Sequence, residues 1–301
     1  MKEIVFKGCA TAIVTPFNEE NEIDYALFQR LVNFQIEKGI HAIVVCGTTG
    51  EAATLSQEEK QAIIAYCVKV VNGRVPVIAG VGSNNTKAVI ENEKFAEKVG
   101  VNGLLAVTPY YNKTTQAGLV EHFTNIAQNT NLPILLYNVP SRTGVDILPE
   151  TYAKLSKVQN IVATKEASGD ISKVVKIRNL CGDQLGVYAG NDDQIIPFLS
   201  LGGLGVISVL SNVMPAYTVQ MIESFWKQEI KKAARMQIEI APFITALFKE
   251  VNPIPVKAAL ELIGFPCGKP RLPLVECSDA LKKELEQELR RSALYGKNFG
   301  L

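Results

Sequence analysis

The segment IVATKEASGD (161–170) runs four residues with the character of a buried strand into Lys165. Desolvating an ammonium is costly, and a valine would pack better there. What lysine adds is chemistry: its amine can attack a carbonyl carbon and form a Schiff base. At the usual pKa of about 10.4, only about one lysine in 2,500 is a free amine at pH 7. Desolvation raises that fraction, so a dry site turns lysine into a usable nucleophile. The plainer alternative is a structural lysine whose charge is met by Glu166 or Glu51.

Schiff-base formation also needs a proton relay, because the carbinolamine must lose its oxygen as water. Tyr137 in YNVPSRTG (137–144), Thr48 or Thr49 in GTTGE (47–51) and Tyr111 in TPYYNK (108–113) supply hydroxyls for it. Taken singly, a tyrosine more often packs in a core with its hydroxyl satisfied; the conjunction with Lys165 is what carries weight. The two histidines, His41 before a strand and His122 within a helix, read as surface or packing residues. Arg142 can clamp a substrate carboxylate in bidentate fashion or simply be solvated. Backbone N–H groups of GTTGE can hold a second carboxylate. The LGGLG stretch (201–205) fits either a phosphate loop or close packing. No HExxH, Cys/His cluster or acidic calcium loop is present, so no metal is expected.

These residues share one kind of address. Eight short Val/Ile-rich runs occupy residues 9–16, 42–47, 75–82, 103–109, 133–140, 161–165, 185–191 and 205–212, and amphipathic stretches fill the gaps. Ser56 and Glu59 form a capping box before one helix, with Gly73 as its stop; Asp24 caps another, closed by Gly39. Eight such units predict a closed parallel (β/α)8 TIM barrel, with an open doubly wound sheet as the alternative. After about residue 225 the pattern is helical, which predicts a catalytic barrel over 1–228 and a C-terminal α-helical extension over 229–301. Barrel active sites lie at the C-terminal strand ends, where the polar residues above fall. Strand alternation puts Ile161, Ala163 and Lys165 on one face, and Val162, Thr164 and Glu166 on the other. Pro133, Leu135 and Tyr137 likewise share a face, so Tyr137 and Lys165 can meet at the barrel mouth.

The 301 residues carry 31 Lys+Arg against 30 Asp+Glu, with no window of one sign. That argues against nucleic-acid and polybasic membrane partners. The N-terminal MKEIVFKGCATAIVTPF reads as neither a signal peptide nor a spanning helix. Six scattered cysteines without a CxxC pair read as buried thiols of a reducing cytoplasm.

GIHAIVVCGTTGE, VTPYYNK, YNVPSRTG and IVATKEASGD, in this order and spacing, resemble the pyruvate-dependent lyases and synthases of the class I aldolase family, along nearly the whole chain. The resemblance implies that pyruvate forms a Schiff base on Lys165 and, as its enamine, attacks L-aspartate 4-semialdehyde, the entry step of diaminopimelate and lysine biosynthesis. No cofactor is implied beyond that covalent pyruvate. By the same resemblance Tyr137, Thr48 and Tyr111 form the relay, with Tyr111 reaching into a neighbouring subunit's site. Thr48 and Thr49 hold the pyruvate carboxylate, Arg142 the semialdehyde carboxylate, and Gly190 and Ile207 line the site. Homotetramers built from tight dimers are common in the family. Relatives that cleave N-acetylneuraminate or sugar acids share the lysine and tyrosine and are the alternative; Arg142 and the Thr48–Thr49 pair favour the synthase.

Three positions depart from the family pattern, one on a strand and two at a regulatory site. Thr164 replaces an apolar residue and is expected on the outward face, away from the chemistry. Lysine-inhibited members bind lysine at positions matching Ala53, Gln57, Lys60, Gly82, Asn84, Ala88 and Tyr110, usually with histidine at the Lys60 position and glutamate at the Ala88 position. Here the glutamate is gone and a cation is added, so insensitivity to lysine is expected.

Overall fold

The computed structural model describes residues 2–295. In chain order the elements are β1 (Gly8–Ala12), α1 (Tyr25–Glu37), β2 (Ala42–Val45), α2 (Gln57–Val71), β3 (Val77–Gly80), α3 (Thr86–Val99), β4 (Gly103–Val107) and α4 (Gln116–Ala127). Next come β5 (Ile134–Asn138), α5 (Pro140–Thr143), α6 (Pro149–Leu155), β6 (Ile161–Glu166), α7 (Ile171–Cys181), β7 (Gly186–Ala189), α8 (Ile195–Ser200) and β8 (Gly205–Ser208). Four helices complete the chain: α9 (Pro215–Trp226), α10 (Ile230–Leu247), α11 (Ile254–Leu262) and α12 (Asp279–Tyr295). The strands form one closed parallel barrel, β1 to β8 in sequence order, with β8 returning to β1.

Alternation along the strands builds two apolar layers. Ile43, Leu104, Leu136, Val187 and Val206 point outward and pack under the helices. Ala10, Val44, Ile78, Leu105, Leu135 and Ile207 fill the interior. Phe6 enters from the N-terminal end and stacks on Tyr188, ring centroids 4.4 Å apart.

Local signals behave as expected. Ser56 and Glu59 make both halves of the capping box, and Asp24 accepts from the Leu27 amide. In LGGLG close packing is the answer: a Cβ on Gly205, at φ +144°, would lie 1.8 Å from the Gly8 carbonyl oxygen. The strands stop short of the apolar runs, at Ala12 rather than residue 16 and at Ser208 rather than 212. Ile13 and Val14 stay buried although they lie beyond the strand, so hydrophobicity outlasts strand geometry there. At the opposite end of the barrel the Lys2 ammonium donates to the carbonyls of Ser156 and Ile161, at 2.6 and 2.7 Å, and to that of Val158. All six cysteines are buried free thiols. Among the described residues no helix is long and apolar enough to cross a membrane.

Candidate active site

Tyr137 and Lys165 are register partners at the ends of β5 and β6. Both are buried, at 7% and 5% exposure, and the Lys165 Nζ sits 4.5 Å from the centre of the Tyr137 ring. The expected meeting at the mouth is therefore made. One element of the alternation needs correction. The β5–β6 register shifts between Ile134 and Leu135, so Ile134 faces Ile161 while Leu135 faces Ala163. The extra residue, Val162, joins the interior layer and Ile161 packs outside, so Ile161 does not share the Lys165 face.

Neither carboxylate suggested for a structural lysine serves Lys165. Glu166 points outward, where Asn138, Tyr152 and the Ser168 amide donate to it. Glu51 is held by Lys257 at 2.7 Å and by the Arg271 amide at 2.9 Å. Among the described residues Lys165 makes no ion pair, so its amine is not spent on a structural partner. A longer-range charge is present: Asp192 is buried at 1% exposure and accepts from the Val209 and Leu210 amides, each at 2.9 Å. Burial pushes the Asp192 carboxyl up, and the Ser208 hydroxyl, the two amides and the Lys165 charge offset part of that rise.

The loop after β2 carries the threonine pair. Thr48 is half-buried and Thr49 buried, and the Thr49 hydroxyl accepts from Asn252 Nδ2 at 2.9 Å. Glu51 closes this loop at φ +54°, a conformation that is strained for a non-glycine residue and is held here by the Lys257 pair. Desolvation lowers the Lys257 pKa, with Glu51 acting against that shift. Arg142 lies in the single turn of α5 rather than in an irregular loop, is exposed, and donates to the Asn252 carbonyl at 3.3 Å. Asn252 thus joins the Thr49 loop to the Arg142 turn.

Ile207 is fully buried in the interior layer. Gly190 continues the β6–β7 pairing through its amide to the Glu166 carbonyl at 2.8 Å. A Cβ there would come 2.6 Å from the Ala167 Cβ, so the close approach of the two strand ends needs glycine. Tyr111 is not brought into the barrel of its own chain: it is 92% exposed at φ +70°. The histidines are paired locally, His41 accepting from the Cys9 amide and His122 sharing a hydrogen bond with Thr86. Sequence reasoning missed Asn252, in the turn between α10 and α11, Lys257 on α11, and the outward partners of Glu166. Asp192, just past the seventh apolar run, was also missed.

A lysine and a tyrosine side by side at adjacent strand ends, in a closed (β/α)8 barrel, define a class: a lyase or synthase of the class I aldolase type. The relatives narrow the class. The model of the dihydrodipicolinate synthetase family matches residues 5–292, and the chain belongs to that family. It is 52% identical over 291 residues to the 4-hydroxy-tetrahydrodipicolinate synthase of Thermoanaerobacter sp. (strain X514), covering 96% of this chain and 98% of that one. The synthase of Clostridium perfringens (strain 13 / Type A) is 49% identical over 290 residues, with 96% and 99% coverage. Among solved structures, dihydrodipicolinate synthase from Thermotoga maritima superposes with a TM-score of 0.94 at 43% identity, covering 97% of this chain and all of that one. The enzyme from Cyanidioschyzon merolae with lysine bound gives 0.94 at 40% identity, with 97% and 100% coverage.

Proposed function

We propose that this chain condenses pyruvate with L-aspartate 4-semialdehyde, as a 4-hydroxy-tetrahydrodipicolinate synthase of diaminopimelate and lysine biosynthesis. The observation that carries the reading is the buried Lys165 amine, free of any ion pair among the described residues and 4.5 Å from the Tyr137 ring. The amine adds to C2 of pyruvate, the carbinolamine loses its oxygen as water, and the imine gives up a C3 proton to become an enamine. C3 then bonds to the aldehyde carbon of the semialdehyde, whose oxygen takes a proton. The semialdehyde's own amine closes on C2 and expels Lys165, so the amine is regenerated.

Tyr137, Thr48 and Tyr111 move the protons in this scheme. Thr48 and Thr49 hold the pyruvate carboxylate, and Arg142, exposed at the rim, receives the semialdehyde carboxylate. Gly190 and Ile207 line the pocket. No separate cofactor takes part, the covalent pyruvate on Lys165 being the only activated group. The exposure of Tyr111 supports a site completed by a second subunit, and a homotetramer built from tight dimers is the proposed assembly. A monomeric dihydrodipicolinate synthase variant is among the similar solved structures, at 43% identity and a TM-score of 0.94. Six buried thiols support a reducing, cytoplasmic setting. Lys60 and Ala88 support insensitivity to lysine.

The discriminating assay offers the purified protein pyruvate with L-aspartate 4-semialdehyde, and separately N-acetylneuraminate and 2-keto-3-deoxy sugar acids. Condensation with the semialdehyde and no cleavage of the sugar acids is expected. Cleavage without condensation would overturn the assignment.

A further inference from the structure

Behind the two site residues, on the outward face of the same strands, lies a buried polar cluster that the chemistry above does not use. Asn138 and Glu166 are register partners one step beyond Tyr137 and Lys165. Asn138 Nδ2 donates to both Glu166 oxygens at 3.1 Å and to Asp146 at 2.8 Å. The Tyr152 hydroxyl donates to Glu166 at 2.9 Å and the Ser168 amide at 2.8 Å. The Lys173 ammonium bonds to Asp146 and stands 3.8 Å from Glu166. Thr164 donates to the Tyr152 oxygen at 3.1 Å. Burial, and then the neighbouring Glu166 carboxylate, push the Tyr152 phenol well above its ordinary range, so it remains a donor.

We propose that Glu166, held by this cluster, is a positioning residue that sets the alignment of Lys165 with Tyr137. The proposal rests on the Schiff-base reading. Successive side chains of a strand point to opposite faces, so the backbone that carries Glu166 outward also carries Lys165 inward. Fixing one fixes the direction of the other. Asn138 stands in the same relation to Tyr137, and the bond between Asn138 and Glu166 crosses from β5 to β6. It therefore holds together the two strand ends that bring the amine beside the ring. A buried carboxylate with this many donors resists displacement, because any shift strands a desolvated charge. Thr164, one of the positions where the sequence departs from the family pattern, adds one more tie to the same cluster.

The test compares wild type with Glu166→Gln and Tyr152→Phe. The glutamine is nearly isosteric, but its NH2 confronts the NH2 of Asn138, and Tyr152→Phe removes one donor to Glu166 together with the acceptor of Thr164. The readouts are the rate at which borohydride traps pyruvate on Lys165, the pyruvate KM, and folding by circular dichroism. Misplacement on the scale of 1 Å predicts a roughly 100-fold slower trapping rate at saturating pyruvate for Glu166→Gln and roughly 10-fold for Tyr152→Phe. The pyruvate KM stays within about threefold, since the threonines that hold its carboxylate lie on another loop. A residue that only supports the fold would lower the melting temperature and leave the trapping rate of the folded fraction unchanged. A wild-type rate in either folded variant, or a loss residing wholly in KM, overturns the proposal. If Glu166→Gln does not fold, Tyr152→Phe decides alone by the same criterion. If wild type itself gives no adduct, the Schiff-base reading fails and the positioning claim with it, whereas a trapped wild type with unimpaired variants sinks the positioning claim only.

Discussion

Glu93 makes the most quantitative prediction about stability. It lies on the buried face of α3 with Val89 and Ala96, is 0% exposed, and neither carboxylate oxygen has a hydrogen-bond partner among the described residues. Desolvation, with a smaller push from Glu97, raises its pKa from 4.5 to about 8. The folded chain therefore keeps this proton longer than the unfolded chain does. The associated stability is complete below pH 4.5 and is lost as the pH climbs toward 8. At pH 7 the loss is about 3 kcal/mol, from about 2.5 pH units at 1.36 kcal/mol each. Glu93→Gln mimics the protonated acid at every pH. It should match wild type at pH 4.5 and melt about 6 °C higher at pH 7, at roughly 2 °C per kcal/mol for a chain of this length. His122 does not disturb the comparison: burial lowers it to about 4, so its stability is complete above pH 6.5 and lost as the pH falls toward 4, equally in both proteins. Calorimetric melting curves from pH 4.5 to 8 provide the assay. Parallel curves for the two proteins would refute the reasoning.

Three other outcomes follow from the same contacts. Lys257→Met leaves Glu51 buried with one amide donor, and should cost about 3–5 kcal/mol in urea unfolding; adding Glu51→Gln should recover part of it. If Tyr111 serves the neighbouring site, Tyr111→Phe and Lys165→Ala proteins, each weak or inactive alone, should regain about a quarter of wild-type activity after mixing and reassembly, since half of the tight dimers would be mixed and each would hold one intact site; no recovery would place Tyr111 outside the relay. L-lysine at sub-millimolar concentration should leave the rate unchanged, and strong inhibition would mean that Lys60 and Ala88 do not exclude it.

The barrel was legible because each strand is a Val/Ile run bounded by breakers and each gap holds a helical pattern. Strand ends were less so, since Ile13 and Val14 are as apolar as a strand and serve instead as a buried continuation. The bulge at Val162 left no mark, because Ile161, Val162 and Ala163 are all apolar and either face suits them. Lys165 could be found because its charge contradicts the strand around it. Its outward support could not: Glu166 depends on Asn138, Tyr152 and Lys173, which reach it only once β5 pairs with β6 and α6 and α7 pack outside them. Asn252 and Lys257 were hidden for the same reason, lying about 200 residues from the loop they hold.

The central claim is that the Lys165 amine forms a Schiff base with pyruvate, and borohydride reduction followed by peptide mass mapping tests it most directly. The account predicts a reduced pyruvate adduct on the peptide carrying Lys165, with no adduct in Lys165→Ala. An unmodified Lys165 after incubation with saturating pyruvate and borohydride, or an adduct on another lysine, would contradict it.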